Sequence, residues 1–433
     1  MEYIIICVCL FCIILNFRND KAIKLYNIVF IEFGFIILLY FFNIRQLYAV
    51  SQKTFFIIFC GIIAYEFGVY LQNKMRSSKN IGKITTSSDD ELFISRKLVV
   101  ILSAFSIMVL SIPALQTIKY LRQGYSLYVL RTDVYGLKTF PEWFDITYIY
   151  FILPLSYVLI AYGIIRFFEG IKLEFFFSLV ITLMSSFANG GRIILLFFIV
   201  QFVFWFFFYK RKREVITQNN NRKKKPNMLF IVLIIVMLFA LVVVISRMRG
   251  VTKSIVMIIN DYFAPSLQYF DVSLKNFDSA GKYCFSFFSF RGYWDPILMV
   301  LKSLHIISQR PEIYYTATAL NEAADKAIVV GSSGFDMNAF TTMFYAFYVD
   351  FDIIGVLVGS VVYGVETARV QYKTYKNQTI YNKLIYALFL NMVVTSFIRF
   401  QLVNPAYALS FFWCWVFFGR HKFHLYFGKR RIL

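Results

Sequence analysis

The sequence predicts an all-α, polytopic integral membrane protein with about 11 transmembrane helices and one large extracytoplasmic loop containing short helices. Three observations predict it. Of 433 residues, 59% are hydrophobic and only 16% charged, against roughly 25% charged in soluble domains, so a soluble fold could not hide the apolar surface. Apolar runs of roughly 18 or more residues recur along the whole length, enough to cross a bilayer core of about 30 Å as helix. The runs are continuous and not alternating, which excludes a transmembrane β-barrel.

Taken in order, the runs place spans near 3–17, 23–42, 54–71, 98–118, 145–166, 172–188, 192–209, 227–246, 342–364, 382–398 and 402–418. The first has no basic flank before Ile4 and no small-residue cleavage site, so it reads as a retained helix and not a signal peptide. Between the seventh and eighth spans lies the strongest basic block, Lys210, Arg211, Lys212, Arg213, Arg222, Lys223, Lys224 and Lys225. Such a loop marks the cytoplasmic side. Alternation then puts 18–22, 72–97, 166–172, 365–381 and the tail after Gly419 inside, giving an N-out, C-in chain. Three regions result: a bundle over 1–246, a large outer loop over 247–341, and a second bundle with a basic tail over 342–433. Within the loop, Val251–Phe270 and Pro296–Ile307 are amphipathic enough for interfacial or re-entrant helices. The chain shows no internal repeat, which counts against a symmetric transporter.

The formal charge of +21 does not imply a nucleic-acid partner. The Lys and Arg cluster between apolar runs, where they set orientation and meet anionic headgroups. Of the six cysteines, Cys7, Cys9, Cys12, Cys60, Cys284 and Cys414, only Cys284 falls in a long polar segment, so no disulfide framework is expected. With no CxxC and three scattered His, neither a metal nor a cofactor is expected.

Four constellations carry candidate chemistry. Ser185-Ser186-Phe187-Ala188-Asn189-Gly190-Gly191-Arg192 is a small, polar break between two spans, whose glycines, Gly191 among them, permit a tight reversal and close approach by a ligand. Arg192 then opens a helix at the outer boundary. A cation there opposes the helix dipole but gains beside an anion, because guanidinium binds phosphate oxygens bidentately; a hairpin with a snorkelling arginine is the structural alternative. Ser246-Arg247-Met248-Arg249-Gly250 puts Arg247 and Arg249 where the eighth span exits on the outside, against the orientation rule, although cations also cap helix C-termini.

Phe290-Arg291-Gly292-Tyr293-Trp294-Asp295-Pro296 combines Arg291 with rings that suit either sugar stacking or an aromatic belt. Arg399, between the last two spans, completes a set of outward arginines that together look like an anion site. The fourth constellation runs from Gly334 through Asn338, Thr341 and Thr342 into Tyr345, Tyr348, Asp350 and Asp352. At about 100° per residue Asn338, Tyr345 and Asp352 share one stripe, while Asp350 points elsewhere. A carboxylate inside a span marks function by default, unless it is the buried partner of an arginine; Glu32 and Glu66 raise the same question. His305 is the one histidine expected outside. Its ordinary pKa suits a general base, although a lone His in an amphipathic stretch is more often structural.

These segments resemble the Wzy-type O-antigen polymerases, or oligosaccharide repeat-unit polymerases, over most of the length as an architecture. The shared motifs are Ala188-Asn189-Gly190-Gly191-Arg192, Arg247-Met248-Arg249-Gly250, and Asn338-Ala339-Phe340-Thr341-Thr342 with Tyr348-Val349-Asp350-Phe351-Asp352-Ile353-Ile354-Gly355. The last is similar to the family's Asn-x-x-Thr followed by Asp-Phe-Gly-x-x-Gly, with Asp352 in place of the first glycine. The resemblance implies polymerisation of undecaprenyl-diphosphate-linked oligosaccharides, as donor and acceptor, on the outer face of a bacterial inner membrane. The resemblance also implies membrane lipid and a chain-length regulator as further partners. It implies metal-independent chemistry in which Arg192, Arg247, Arg249 and Arg291 hold the diphosphate, with Arg399, Gly191, Asn338 and Tyr345 lining the same site. The family's acidic role falls to either Asp350 or Asp352, and Asp350 or His305 would serve as base. An O-antigen ligase is the enzymatic alternative, and a lipid-linked sugar flippase the non-enzymatic one.

Overall fold

The computed structural model describes residues 1–17, 24–44, 46–77, 95–126, 129–130, 139–217, 255–332 and 334–419. The helices in chain order are α1 (Glu2–Phe17), α2 (Asn27–Phe42), α3 (Gln52–Ser77), α4 (Arg96–Arg122), α5 (Glu142–Phe168), α6 (Leu173–Asn189) and α7 (Ile193–Thr217). There follow α8 (Ile255–Phe263), α9 (Ser266–Ala280), α10 (Arg291–Ser303), α11 (Glu312–Asp325), α12 (Thr342–Lys376), α13 (Ile380–Val394) and α14 (Pro405–Phe418). The described strands are the two-residue antiparallel pair β1 (Ile328–Val329) and β2 (Asp336–Met337). The molecule is therefore helical, as expected.

Five of these helices are long and apolar enough to cross a membrane: Gln52–Met75 of α3, then α4, α5, Ile193–Lys210 of α7, and α12. Five shorter apolar helices, α1, α2, α6, α13 and α14, occupy other expected spans. The expected span at 227–246 lies outside the described residues. α8, α9, α10 and α11 supply the short helices expected in the outer loop.

Polar contacts sort the helix ends into two sets, as alternation requires. At one end Arg96 Nε meets Glu174 at 2.5 Å, Lys383 Nζ meets Glu169 at 2.7 Å, and the Leu25 N–H donates to Gln371 at 2.6 Å. At the other, Lys53 Nζ meets Asp278 at 2.6 Å, the Tyr150 hydroxyl donates to Asp295 at 2.7 Å, and the Tyr48 N–H donates to the Val330 carbonyl at 3.0 Å. The three contacts at the second end all involve the 255–341 segment.

The expected single span at 342–364 is corrected. α12 breaks at Phe351 (φ −148°, ψ 30°) and Asp352 (φ 56°, ψ −148°). A Cβ on Gly355 would lie 2.1 Å from the Phe347 carbonyl, and one on Gly359 2.6 Å from the Phe347 ring. Eight residues of straight helix would separate by about 12 Å, so 342–350 folds back on 353–364. Residues 341–350 are all buried, whereas Ile354, Leu357, Val358 and Val362 beyond the bend are exposed. The stripe expected through Asn338, Tyr345 and Asp352 does not form, because Asn338 precedes the helix and Asp352 turns it.

The arm 342–350 begins deep. Phe344 packs against Phe33 at 5.0 Å and fills the space beside Gly61, both near the middle of their helices. Thr342 donates its N–H to the Ile398 carbonyl at 3.1 Å, and Met343 to Ser396 at 2.7 Å. The connection between α13 and α14 is thus sunk into the protein, where these bonds satisfy its backbone. This explains why α13 and α14, at 15 and 14 residues, can be shorter than the roughly 20 residues of a full span. On the far side, α3 packs along 353–376 at backbone contact. A Cβ on Gly68 would meet the Val361 carbonyl at 2.2 Å, and one on Gly364 the Tyr65 carbonyl at 2.2 Å.

Candidate functional site

The break between α6 and α7 is built by Gly190, whose φ of 54° closes the helix in the left-handed conformation that glycine adopts without penalty. Ser186 holds the turn from both sides, accepting the Gly191 N–H at 3.2 Å and donating to the Gly191 carbonyl at 2.7 Å. An added Cβ on Gly191 would meet nothing nearer than 3.9 Å, so the space beside it is open. The Tyr148 hydroxyl donates to Asn189 at 3.0 Å from the π-helical turn Tyr148–Ile152 within α5. Arg192 follows at the start of α7, with its guanidinium 5.0 Å from the centroid of the Tyr262 ring.

Arg291 is the first residue of α10. Phe290 approaches Phe400 at 6.4 Å, and Gly292 presses so closely on the carbonyls of Leu402 and Asn404 that a Cβ would meet them at 2.5 and 2.7 Å. Tyr262, beneath Arg192, packs on Phe340 at 6.2 Å, and Phe340 lies 6.2 Å from Phe397. The start of α10 is therefore set directly against the 395–404 connection, and Arg192 is linked to it through Tyr262, Phe340 and Phe397. Arg247 and Arg249 lie outside the described residues.

Arg399 belongs to that connection, but its Nη2 is bound to the Asp325 carboxylate. Asn338 donates to the Asp325 carbonyl at 3.2 Å. These two expected ligands thus tie the end of α11 to the re-entrant segment. Tyr345 is buried between Phe270 and Phe288, at 6.4 and 5.6 Å, as part of the wall. His305 is exposed in a left-handed turn (φ 55°) just beyond α10. The ends of α10 are about 18 Å apart, which puts His305 a helix length away from Arg291. Asp350 is 2% exposed, and its two oxygens accept the N–H groups of Phe288 at 3.1 Å and Ser289 at 2.9 Å.

Three other described arginines have carboxylates: Arg96 has Glu174, Arg166 has Glu169, and Arg310 has Asp295. Arg291 has no ion pair among the described residues, and its buried Nε has no hydrogen-bond partner there. A half-buried guanidinium at the positive end of a helix calls for an anion.

Sequence reasoning missed a second cluster one helical turn further along α10. Asp295 accepts from Tyr150 and Tyr314 and pairs with Arg310 at 3.1 Å, and the Arg310 guanidinium lies 4.9 Å from the Tyr314 ring centroid. Burial, and then the bond to Asp295, raise the Tyr314 hydroxyl above its ordinary value. Burial also pushes the Cys284 thiol up to about 12, which keeps it protonated and unreactive. Comparison of the chain with protein-family models, curated proteins and solved structures finds no match.

Proposed function

We propose that this chain polymerises undecaprenyl-diphosphate-linked oligosaccharide repeat units into O-antigen or a similar surface polysaccharide. The reaction would run on the outer face of a bacterial inner membrane, with the N-terminus outside and the C-terminus cytoplasmic. The observation that carries the reading is Arg291, a cation at a helix start whose enclosed Nε lacks an acceptor among the described residues. A lipid diphosphate supplies the missing anion.

In this reading Arg192 and Arg291 hold the donor's diphosphate, joined by Arg247 and Arg249. The anomeric carbon–oxygen bond to the diphosphate breaks as the acceptor's hydroxyl oxygen bonds to that carbon. Guanidinium groups stabilise the charge growing on the leaving diphosphate without a metal. The hydroxyl proton passes to a base or to water at the outer face. The products are undecaprenyl diphosphate and a chain longer by one repeat unit.

The test is a gel display of surface polysaccharide from cells whose only copy carries Arg192→Ala. Long chains should disappear while the protein stays at its normal level in the membrane. Unchanged chain length contradicts the assignment. The ligase alternative is separated in the same gel from a deletion strain. Loss of a polymerase leaves single repeat units attached to lipid A–core, whereas loss of a ligase leaves none.

A further inference from the structure

We propose that Asp350 is a positioning residue for Arg291 rather than the base, an inference that rests on Arg291 being a diphosphate ligand. Residues 284–290 form the irregular turn that leads into α10. Two of them, Phe285 (φ 46°) and Ser286 (φ 73°), are in the left-handed region without being glycine. Such a turn persists only when its surroundings over-determine it.

The tip of the α12 hairpin supplies that constraint. Cys284 N–H donates to the Val349 carbonyl at 3.0 Å and Phe285 N–H to the Asp350 carbonyl at 3.3 Å. The Asp350 side chain then takes the N–H groups of Phe288 and Ser289, one on each oxygen. The Phe288 carbonyl in turn accepts the Arg291 N–H at 3.2 Å. A chain of two hydrogen bonds therefore runs from the Asp350 carboxylate to the backbone of Arg291.

The same geometry argues against general-base chemistry. A base needs an open lone pair within about 3 Å of the proton it removes. Both Asp350 oxygens already face backbone donors, and the residue is enclosed. Charge-assisted bonds to backbone N–H groups are among the stronger anchors available to a turn. Asp350 thus converts a fixed point on α12 into a fixed aim for Arg291. Asp352, its neighbour across the bend, bonds elsewhere, accepting from the Tyr283 hydroxyl at 3.0 Å.

The test measures binding of farnesyl diphosphate, a soluble isoprenyl diphosphate, to the full-length protein in detergent, alongside the polysaccharide ladder of cells carrying each variant. Asp350→Ala should raise the dissociation constant tenfold or more, approaching Arg291→Ala. Asp350→Asn keeps one acceptor oxygen; it should raise the constant fivefold or less and still give a ladder. A folded Asp350→Ala with unchanged affinity overturns the proposal. So does an Asp350→Asn that binds as the parent protein does but makes no ladder, the pattern of a lost base. If Asp350→Ala fails to fold, the Asn variant decides alone. A parent protein that binds no farnesyl diphosphate sinks the diphosphate reading itself. Weakened binding in Asp350→Ala from a parent strain without polymer leaves positioning intact and sinks only the polymerase.

Discussion

Arg399 and Asp325 form an ion pair at the end of the molecule that holds α8 to α11, with side chains 20% and 49% exposed. The pair joins the end of α11 to the connection between α13 and α14 and neutralises an arginine expected in the anion site. Arg399→Ala should therefore act on stability, by about 1 kcal/mol or less, as partly exposed pairs do. Thermal unfolding in detergent checks this. A tenfold loss of farnesyl diphosphate affinity without a shift in unfolding temperature would return Arg399 to the anion site.

The bend in α12 places Asp352 at φ 56°, ψ −148°, a region that is essentially restricted to glycine and costs other residues about 1–3 kcal/mol. Asp352→Gly and Asp352→Ala both lose the bonds from Tyr283 and the Ile353 N–H. They differ in strain. The glycine variant should unfold at a higher temperature than the alanine variant, by the equivalent of about 1 kcal/mol or more. Equal midpoints would show that the bend is unstrained.

At the opposite end, Glu169 gathers Lys383 at 2.7 Å, Arg166 at 2.7 Å and the Tyr209 hydroxyl at 2.9 Å, and the Lys383 side chain is only 7% exposed. Glu169→Gln leaves that ammonium with the Tyr209 hydroxyl but no counter-charge and should cost about 3 kcal/mol. Lys383→Met leaves Glu169 with two partners and should cost less than half as much. The order of the two unfolding midpoints is the readout, and the reverse order would contradict the assignment of Glu169 as the hub.

Asp271 gives the fold an acid limit. Burial alone would raise its carboxyl, but Lys275 and the hydroxyls of Ser51 and Thr54 hold it below the ordinary 3.8. A lowered pKa means that the folded state favours the charged form. The contribution is complete above about pH 4 and is lost as pH falls through the folded value. Unfolding temperature should therefore drop below about pH 4, and Asp271→Asn should drop less over the same range. Parallel curves would assign acid sensitivity to other carboxylates.

Much of this architecture was legible because continuous apolar runs have few outlets other than membrane helices. The hairpin in α12 was hidden, since both arms are apolar and Asp352 stands where a glycine would have signalled the break. Arg192 was legible as a cation opening a helix, and Arg291 as an arginine set among aromatic rings in the large loop. The pairing of Arg399 with Asp325 was not, because 74 residues separate them. Nor was the Asp295 cluster, where Tyr150 lies 145 positions away. Side-chain pairing at such distances depends on how helices pack, which local periodicity does not encode. Asp350 was legible as a special carboxylate but not in its role, which only the turn at 284–290 defines.

The most direct measurement is the length distribution of surface polysaccharide in cells relying on Arg291→Ala, with membrane abundance measured in the same samples. Single repeat units should replace long chains at unchanged abundance. A full ladder of parental length from that strain would contradict the polymerase proposal.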